Sequence, residues 1–474
     1  MRNRRTLARL ERLRFEKLFQ QASPSLGLED PRLRRYARRY TRALEQGARR
    51  SRSAPEEACV QAVLSSEVTL CGDYHTLPEA QKGALRLSAA FVQGELDEAE
   101  FRERIAFGRH WGFSWEAYRE LLRFARAERL PVRGINRLGG GLEARDRRMA
   151  ERILDAREAH PGALVLALVG DWHLAPEHLP RTLVAQARAR QVPPPVLARV
   201  HQNAEPVFWK HTERSRKPAP HCVRLGPREF CFLTVPPSAK LRSHLRWVTA
   251  AAESDVRWRT AQQNREAAGA LPSSEATLAD EEDVWEFQEL VLAFLGARLH
   301  DDGGLSVIAV GEAERWEPVA ERAGWPPGRC RRWITALDGL ALDREKTVVL
   351  ASALQGDVAL WAAWALAARM SDHPLHPATG DRAALVWRWA LAFLGARLAL
   401  PFHDARRGPA ARDEADRALD RCLEAREEGA RLGAALYRGL MEERLERFDV
   451  AQLFVTPLIG SRARFELERW RRRA

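Results

Sequence analysis

Between residues 60 and 203, short apolar runs alternate with amphipathic stretches. Glu67-Val68-Thr69-Leu70-Cys71 predicts a strand ending at Gly72, and Pro131 to Ile135 predicts a second ending at Asn136. Ala163 to Val169 is apolar throughout, the pattern of a strand covered on both faces. Val196 to Val200 follows and ends at Gln202-Asn203. Ser114 to Leu130, Glu143 to His160 and His178 to Arg190 have helical periodicity, the first with Ser114 as N-cap. Strands separated by helices predict an α/β fold with a mostly parallel sheet flanked by helices. Cys222 to Leu225 and Glu229 to Thr234 flank Gly226-Pro227 and predict an added hairpin.

After a polar stretch rich in Ala, Ser and Glu, the pattern changes to long helical periods at Trp285–Leu299, Val358–Met370, Ala383–Leu400 and Ala411–Arg447. The expected organisation is a basic helical segment at 1–55, an α/β domain at 56–260, a linker at 261–282 and a mainly α-helical second domain at 283–474. The octamer Leu-Ala-Phe-Leu-Gly-Ala-Arg-Leu occurs at 292–299 and again at 391–398. In so Ala-, Leu- and Arg-rich a sequence, convergence is the preferred account over duplication. Trp361, Trp364, Trp387 and Trp389 read as packed core or as a surface for a partner.

Composition narrows the function classes. A chain of 474 residues exceeds one ordinary core, and 45% hydrophobic with 30% charged residues describes a globular protein. The net charge of +12 suggests nucleic acid, but Arg and Glu are interleaved along most helices, as on solvated faces, which argues against it. Six scattered cysteines form no CxxC pair, which argues against zinc ribbons and thioredoxin-like chemistry. Cys222 and Cys231 read as buried free thiols. No apolar signal core follows the basic N-terminus and no apolar run is long enough to span a bilayer, so a cytoplasmic protein without a membrane span is expected.

In open parallel sheets, ligands bind at the carboxyl ends of the strands. Two of these ends carry one motif: Gly72-Asp73-Tyr74-His75 and Gly170-Asp171-Trp172-His173. Glycine lets the chain leave the sheet tightly, and the His two residues past the Asp projects over the sheet edge. Two imidazoles at one edge can share a divalent metal ion, so His75, His173, Asp73 and Asp171 are the candidate ligands. Asp73 and Asp171 can instead be acceptors that fix the imidazole tautomer. Arg145, near the start of a helix, is unfavourable for the helix dipole and suggests an anionic partner.

These motifs, with Trp115–Tyr118, Asn136 and Arg145-Asp146-Arg147-Arg148-Met149-Ala150, resemble the ChaN family of haem-binding uptake proteins, in a superfamily with Tiki metalloproteases and erythromycin esterases. The resemblance spans about Val60 to Asn203. It implies a ChaN-like fold in which His75 and His173 are metal ligands or a general base, with Asp73 and Arg145 completing a catalytic set. For haem it implies Tyr74, His75, His173 and Trp172 as the contacts, with His110, His178, Trp111 and Trp115 nearby. The chain departs from the family in two ways. The strand expected soon after the first motif, with its acidic residue, is missing. Asp73 also stands where the enzyme branches commonly have Glu. Three readings stay open: a protein binding haem or a divalent metal ion, with degenerate catalysis; a metal-dependent hydrolase of the Tiki or esterase type; and a non-catalytic interaction protein working through its helical half. The expected partner is a small molecule or a metal ion, and a homodimer is compatible with all three.

Overall fold

The structure is a computed structural model. It describes residues 2–73, part of 121–135, 141–213, part of 221–249, 281–299, 305–342, 346–351, 355–371, 376–377, 381–401, 416–456 and 460–473. The chain forms two compact units. One consists of Arg14–Ser215 with Ala219–Thr277, the other of Met1–Leu13, Arg216–Pro218 and Leu278–Ala474.

The first unit is built on a six-stranded sheet of order β1-β5-β6-β4-β2-β3. The strands are β1 (Arg52–Ser53), β2 (Val68–Asp73), β3 (Val165–Gly170), β4 (Leu197–Gln202), β5 (Cys222–Gly226) and β6 (Glu229–Phe232). β6, β4, β2 and β3 run parallel, while β5 and β1 add antiparallel pairings at one edge, so the sheet is mixed. β5 and β6 are the expected hairpin. Residues 131–135, expected as a strand, pair with no strand among the described residues. A run of five residues with a proline at its head has little to hold it in a ladder.

Alternation along the strands assigns the two faces. Cys71, Val200, Phe230 and Phe232 pack with Cys59, Ala62 and Val63 of α3 (Glu56–Leu64). Arg199, His201 and Glu229 therefore point to the other face. There α2 (Pro31–Arg50) crosses, and its Tyr40 hydroxyl lies 3.4 Å from His201 Nδ1. Asp30 caps α2 by accepting from Arg32 N at 2.8 Å, and Pro31 occupies its first turn. The buried residues of α2 recur every four positions, at Tyr36, Tyr40, Leu44 and Ala48. Helix α4 (Leu142–Ala159) buries Asp146, Met149, Ala150, Ile153 and Leu154, one stripe at helical spacing with an acid at its N-terminal end. β3 passes into a 3-10 turn, Asp171–Leu174, and then into α5 (Leu179–Ala189).

The second unit combines the expected helices with a small sheet that the sequence pattern does not reveal. β7 (Ser306–Ala309) pairs in parallel with β9 (Thr347–Leu350), and β8 (Gly339–Leu342) pairs antiparallel on the other side of β9. Apolar runs of four residues do not distinguish strand from buried helix, which is why periodicity misses them. The helices α10 (Gln355–Met370) and α11 (Arg382–Ala399) are buried nearly all round. Trp361, Trp364 and Trp389 pack in tilted and edge-on pairs at 4.5–5.7 Å between ring centres, and with Trp387 they are core residues. The two octamers adopt different structures. The first closes α7 (Glu281–Leu295), with Gly296 at φ +71°, and the second lies wholly within α11. All six cysteines are free and buried.

Candidate functional site

The parallel register brings three strand ends to one edge. Asp73 lies opposite Gly170, and Cys71 opposite Val200. Asp73, Asp171, His173, Gln202 and Asn203 are all buried there, and Gln202 Nε2 donates to Gly72 O at 2.9 Å. Gly72 is required by close approach. A Cβ at that position would run into Asp171 Oδ1 and come within 2.8 Å of Leu174 Cδ1. Asp171 Oδ2 accepts from Lys240 Nζ at 2.7 Å, while its Oδ1 is buried without a hydrogen bond.

His173 is held by two residues that come from other helices. Its Nδ1 lies 2.7 Å from Asp146 Oδ1 and 2.8 Å from the Tyr36 hydroxyl, which itself donates to Asp146 Oδ2 at 2.7 Å. Burial and the neighbouring Asp146 charge push the Tyr36 phenol far above its ordinary value, so it keeps its proton. With the Tyr36 proton directed to Asp146 Oδ2, Nδ1 of His173 carries its own hydrogen and donates it to Asp146 Oδ1. The lone pair is then on Nε2, for which no partner occurs among the described residues. A carboxylate on one ring nitrogen and a free lone pair on the other is the arrangement of a metal-binding or proton-accepting histidine.

His178 has a related disposition. Its ring stacks on Tyr36, centres 3.5 Å apart and 11° from parallel. Nδ1 donates to Trp172 O at 2.7 Å, and Nε2 is buried without a partner. Burial holds its pKa below the ordinary histidine value, which keeps it neutral. One turn along α2, Tyr40 faces a second histidine–carboxylate pair, His201 with Glu229. There both ring nitrogens are engaged, with Nε2 only 2.9 Å from Glu229 Oε1, so His201 has no lone pair to offer.

Of the residues marked by the motifs, the structure brings together Asp73, Asp171, Trp172 and His173 at the strand ends, with Arg145 beside Asp146 in α4. Tyr74, His75, His110, Trp111, Trp115 and Asn136 lie outside the described residues. Among the described residues no group of three or more His, Cys, Asp or Glu side chains could hold a metal ion, so Asp73, Asp171 and His173 do not form such a group by themselves. The acceptor that orients His173 is Asp146, while Asp171 is engaged by Lys240. Arg145 has a buried Nε with no hydrogen-bond partner. Tyr36 carries no signal in the strand-end motifs. Its one sequence mark is that two of the five tyrosines, Tyr36 and Tyr40, stand four apart in an arginine-rich helix.

Residues 70–137 match the family described as haem-binding uptake, Tiki superfamily, ChaN, which bears out the resemblance over that stretch. No curated protein and no solved structure matches the chain. Among the described residues no helix is long and apolar enough to cross a membrane.

Proposed function

We propose, with the family match of residues 70–137 as premise, that the chain binds haem, or a divalent metal ion, at the carboxyl edge of its first sheet. His173 Nε2 is the donor to the metal, and His75 of the first motif is the second candidate donor. Tyr74 and Trp172 are the candidate contacts to a porphyrin face. Asp73 and Asp171 are the candidate carboxylates for a bare ion. The observation that carries this reading is the Tyr36–Asp146–His173 chain, which fixes the ring and directs its lone pair away from Asp146. Such carboxylate support raises the basicity of a ligating imidazole. Bound haem would supply an iron for that nitrogen to ligate.

The same free Nε2 also suits a general base, which keeps a hydrolytic reading in which His75, His173, Asp73 and Arg145 act on a substrate. The binding reading is preferred because the sequence after the first motif is read as lacking the family's second strand and its acidic residue, a stretch that lies outside the described residues. The test is a titration of the full chain with haemin, followed by its Soret band, and with Zn²⁺ by calorimetry. His173→Ala should abolish the ligation spectrum. Asp146→Asn should weaken binding by about 10–100-fold, as loss of an orienting carboxylate does at other metal sites. Equal affinity and an identical spectrum for wild type and His173→Ala would sink the proposal. Ester or peptide hydrolysis lost on chelation would favour the hydrolytic reading instead.

A further inference from the structure

Helix α2 carries eight arginines and one acid, Glu45. Its first turn holds Arg32 and Arg34 and no acidic residue, where the helix dipole disfavours cations. Arg34 and Arg38, Arg35 and Arg39, and Arg38 and Arg42 stand four apart, a spacing at which like charges repel. Several arginines elsewhere in this unit have acidic partners: Arg157 with Glu67, Arg190 with Asp155 and Glu158, Arg199 with Glu229. Among the described residues no acid pairs with Arg35, Arg38, Arg39 or Arg42. An unneutralised cationic helix weakens its own fold, and that arrangement calls for an anion from outside.

The cations also converge. Pro31, Arg34, Arg35, Arg38, Arg39 and Arg42 line a cavity of about 450 Å³. At about 100° per residue, Arg39, Arg35 and Arg42 lie roughly 60°, 100° and 120° round the helix from Tyr36, all in the same sense. Arg39 is close enough for its charge to act on both Tyr36 and His178. Arg145, next in sequence to the Asp146 that Tyr36 touches, has its buried Nε unpartnered.

We infer that the arginine face of α2 binds the carboxylate or phosphate groups of a small anionic ligand. This rests on the site reading above to the extent that the same ligand reaches His173. Arginine is suited to the task, since its planar fork matches either oxyanion and is always charged. Arg35, Arg38, Arg39 and Arg42 hold the anionic groups, and Arg145 is the cation on the α4 side.

The test compares the full-length protein with an R35Q/R38Q/R39Q/R42Q variant, using haemin, haemin dimethyl ester and inorganic pyrophosphate as probes. Haemin should bind the variant about tenfold more weakly or worse, with the Soret position unchanged because His173 is intact, and wild-type affinity should fall as salt rises. The ester lacks free carboxylates and should bind both proteins alike. Pyrophosphate bound by wild type and not by the variant would point to phosphates as the anion. A matching Arg→Lys set, which keeps the charge, should retain most binding and so separates lost charge from lost folding. If wild type binds pyrophosphate but not haemin, and the variant loses it, the His173 reading falls while the arginine face stands. If the glutamine variant binds haemin and pyrophosphate as tightly as wild type, or if wild type binds neither, the inference is overturned.

Discussion

At the scale of single residues, the site depends on groups whose partners are few and buried. Tyr36→Phe removes one hydroxyl and leaves Asp146 Oδ2 without its donor, so we expect a loss of about 1–3 kcal/mol in stability by denaturant unfolding. It should also weaken haemin binding, since the Asp146 carboxylate that orients the His173 ring loses a donor. Gly72→Ala forces a methyl group into Asp171 and Leu174, and overpacking of this kind costs about 1–3 kcal/mol. Tyr40→Phe is the control. It touches a histidine whose nitrogens are both engaged, and it should leave ligand binding unchanged. The His173 end of the site was legible in the sequence, because a repeated Gly-Asp-aromatic-His motif at strand exits is a positional signal. Tyr36 was not legible, because it meets His173 only through the fold, from 137 residues away.

At the scale of elements, the repeated octamer shows how little local sequence decides. In the first copy Gly296 adopts a left-handed conformation that ends α7, and nothing lies near a Cβ there. In the second copy, Gly395 sits inside α11, where a Cβ would come within 2.6 Å of Ala363 Cβ in α10. The same Gly→Ala change should therefore fail for two reasons. At Gly296 it costs backbone strain of about 1 kcal/mol. At Gly395 it overpacks a helix crossing, and Ala363→Gly should rescue Gly395→Ala while doing nothing for Gly296→Ala. Thermal melts of the three variants and the double variants decide this. The long helices were readable because burial on one or all faces imprints a period or an apolar run of ten residues or more. The four-residue strands β7, β8 and β9 leave no such imprint, and β7 meets its partner β9 only from far away in the sequence.

At the scale of the whole molecule, each unit buries a histidine that resists protonation. Burial keeps His178 below the ordinary histidine value, and burial with the nearby Arg388 and Arg329 charges drives His376 down to about 3. In both cases the unfolded chain takes up a proton before the folded one does. The stabilisation is therefore complete above about pH 6.5, and it drains away as pH falls from there through the folded values. Melting temperature should drop progressively from pH 7 toward pH 4, and His376→Gln should flatten part of that slope. An unchanged slope in His376→Gln would mean that other groups set the acid limit.

The docking of α2 has a practical corollary for anyone who wishes to isolate the motif-bearing region. A truncation starting at Glu56 would keep both glycine–aspartate–histidine signatures and the complete parallel core, yet would discard the tyrosine that braces His173 and covers His178. Such a fragment would present two loosened imidazoles to solvent without the adjoining arginines. Weak or promiscuous uptake by that piece would report the amputation, not the native preference.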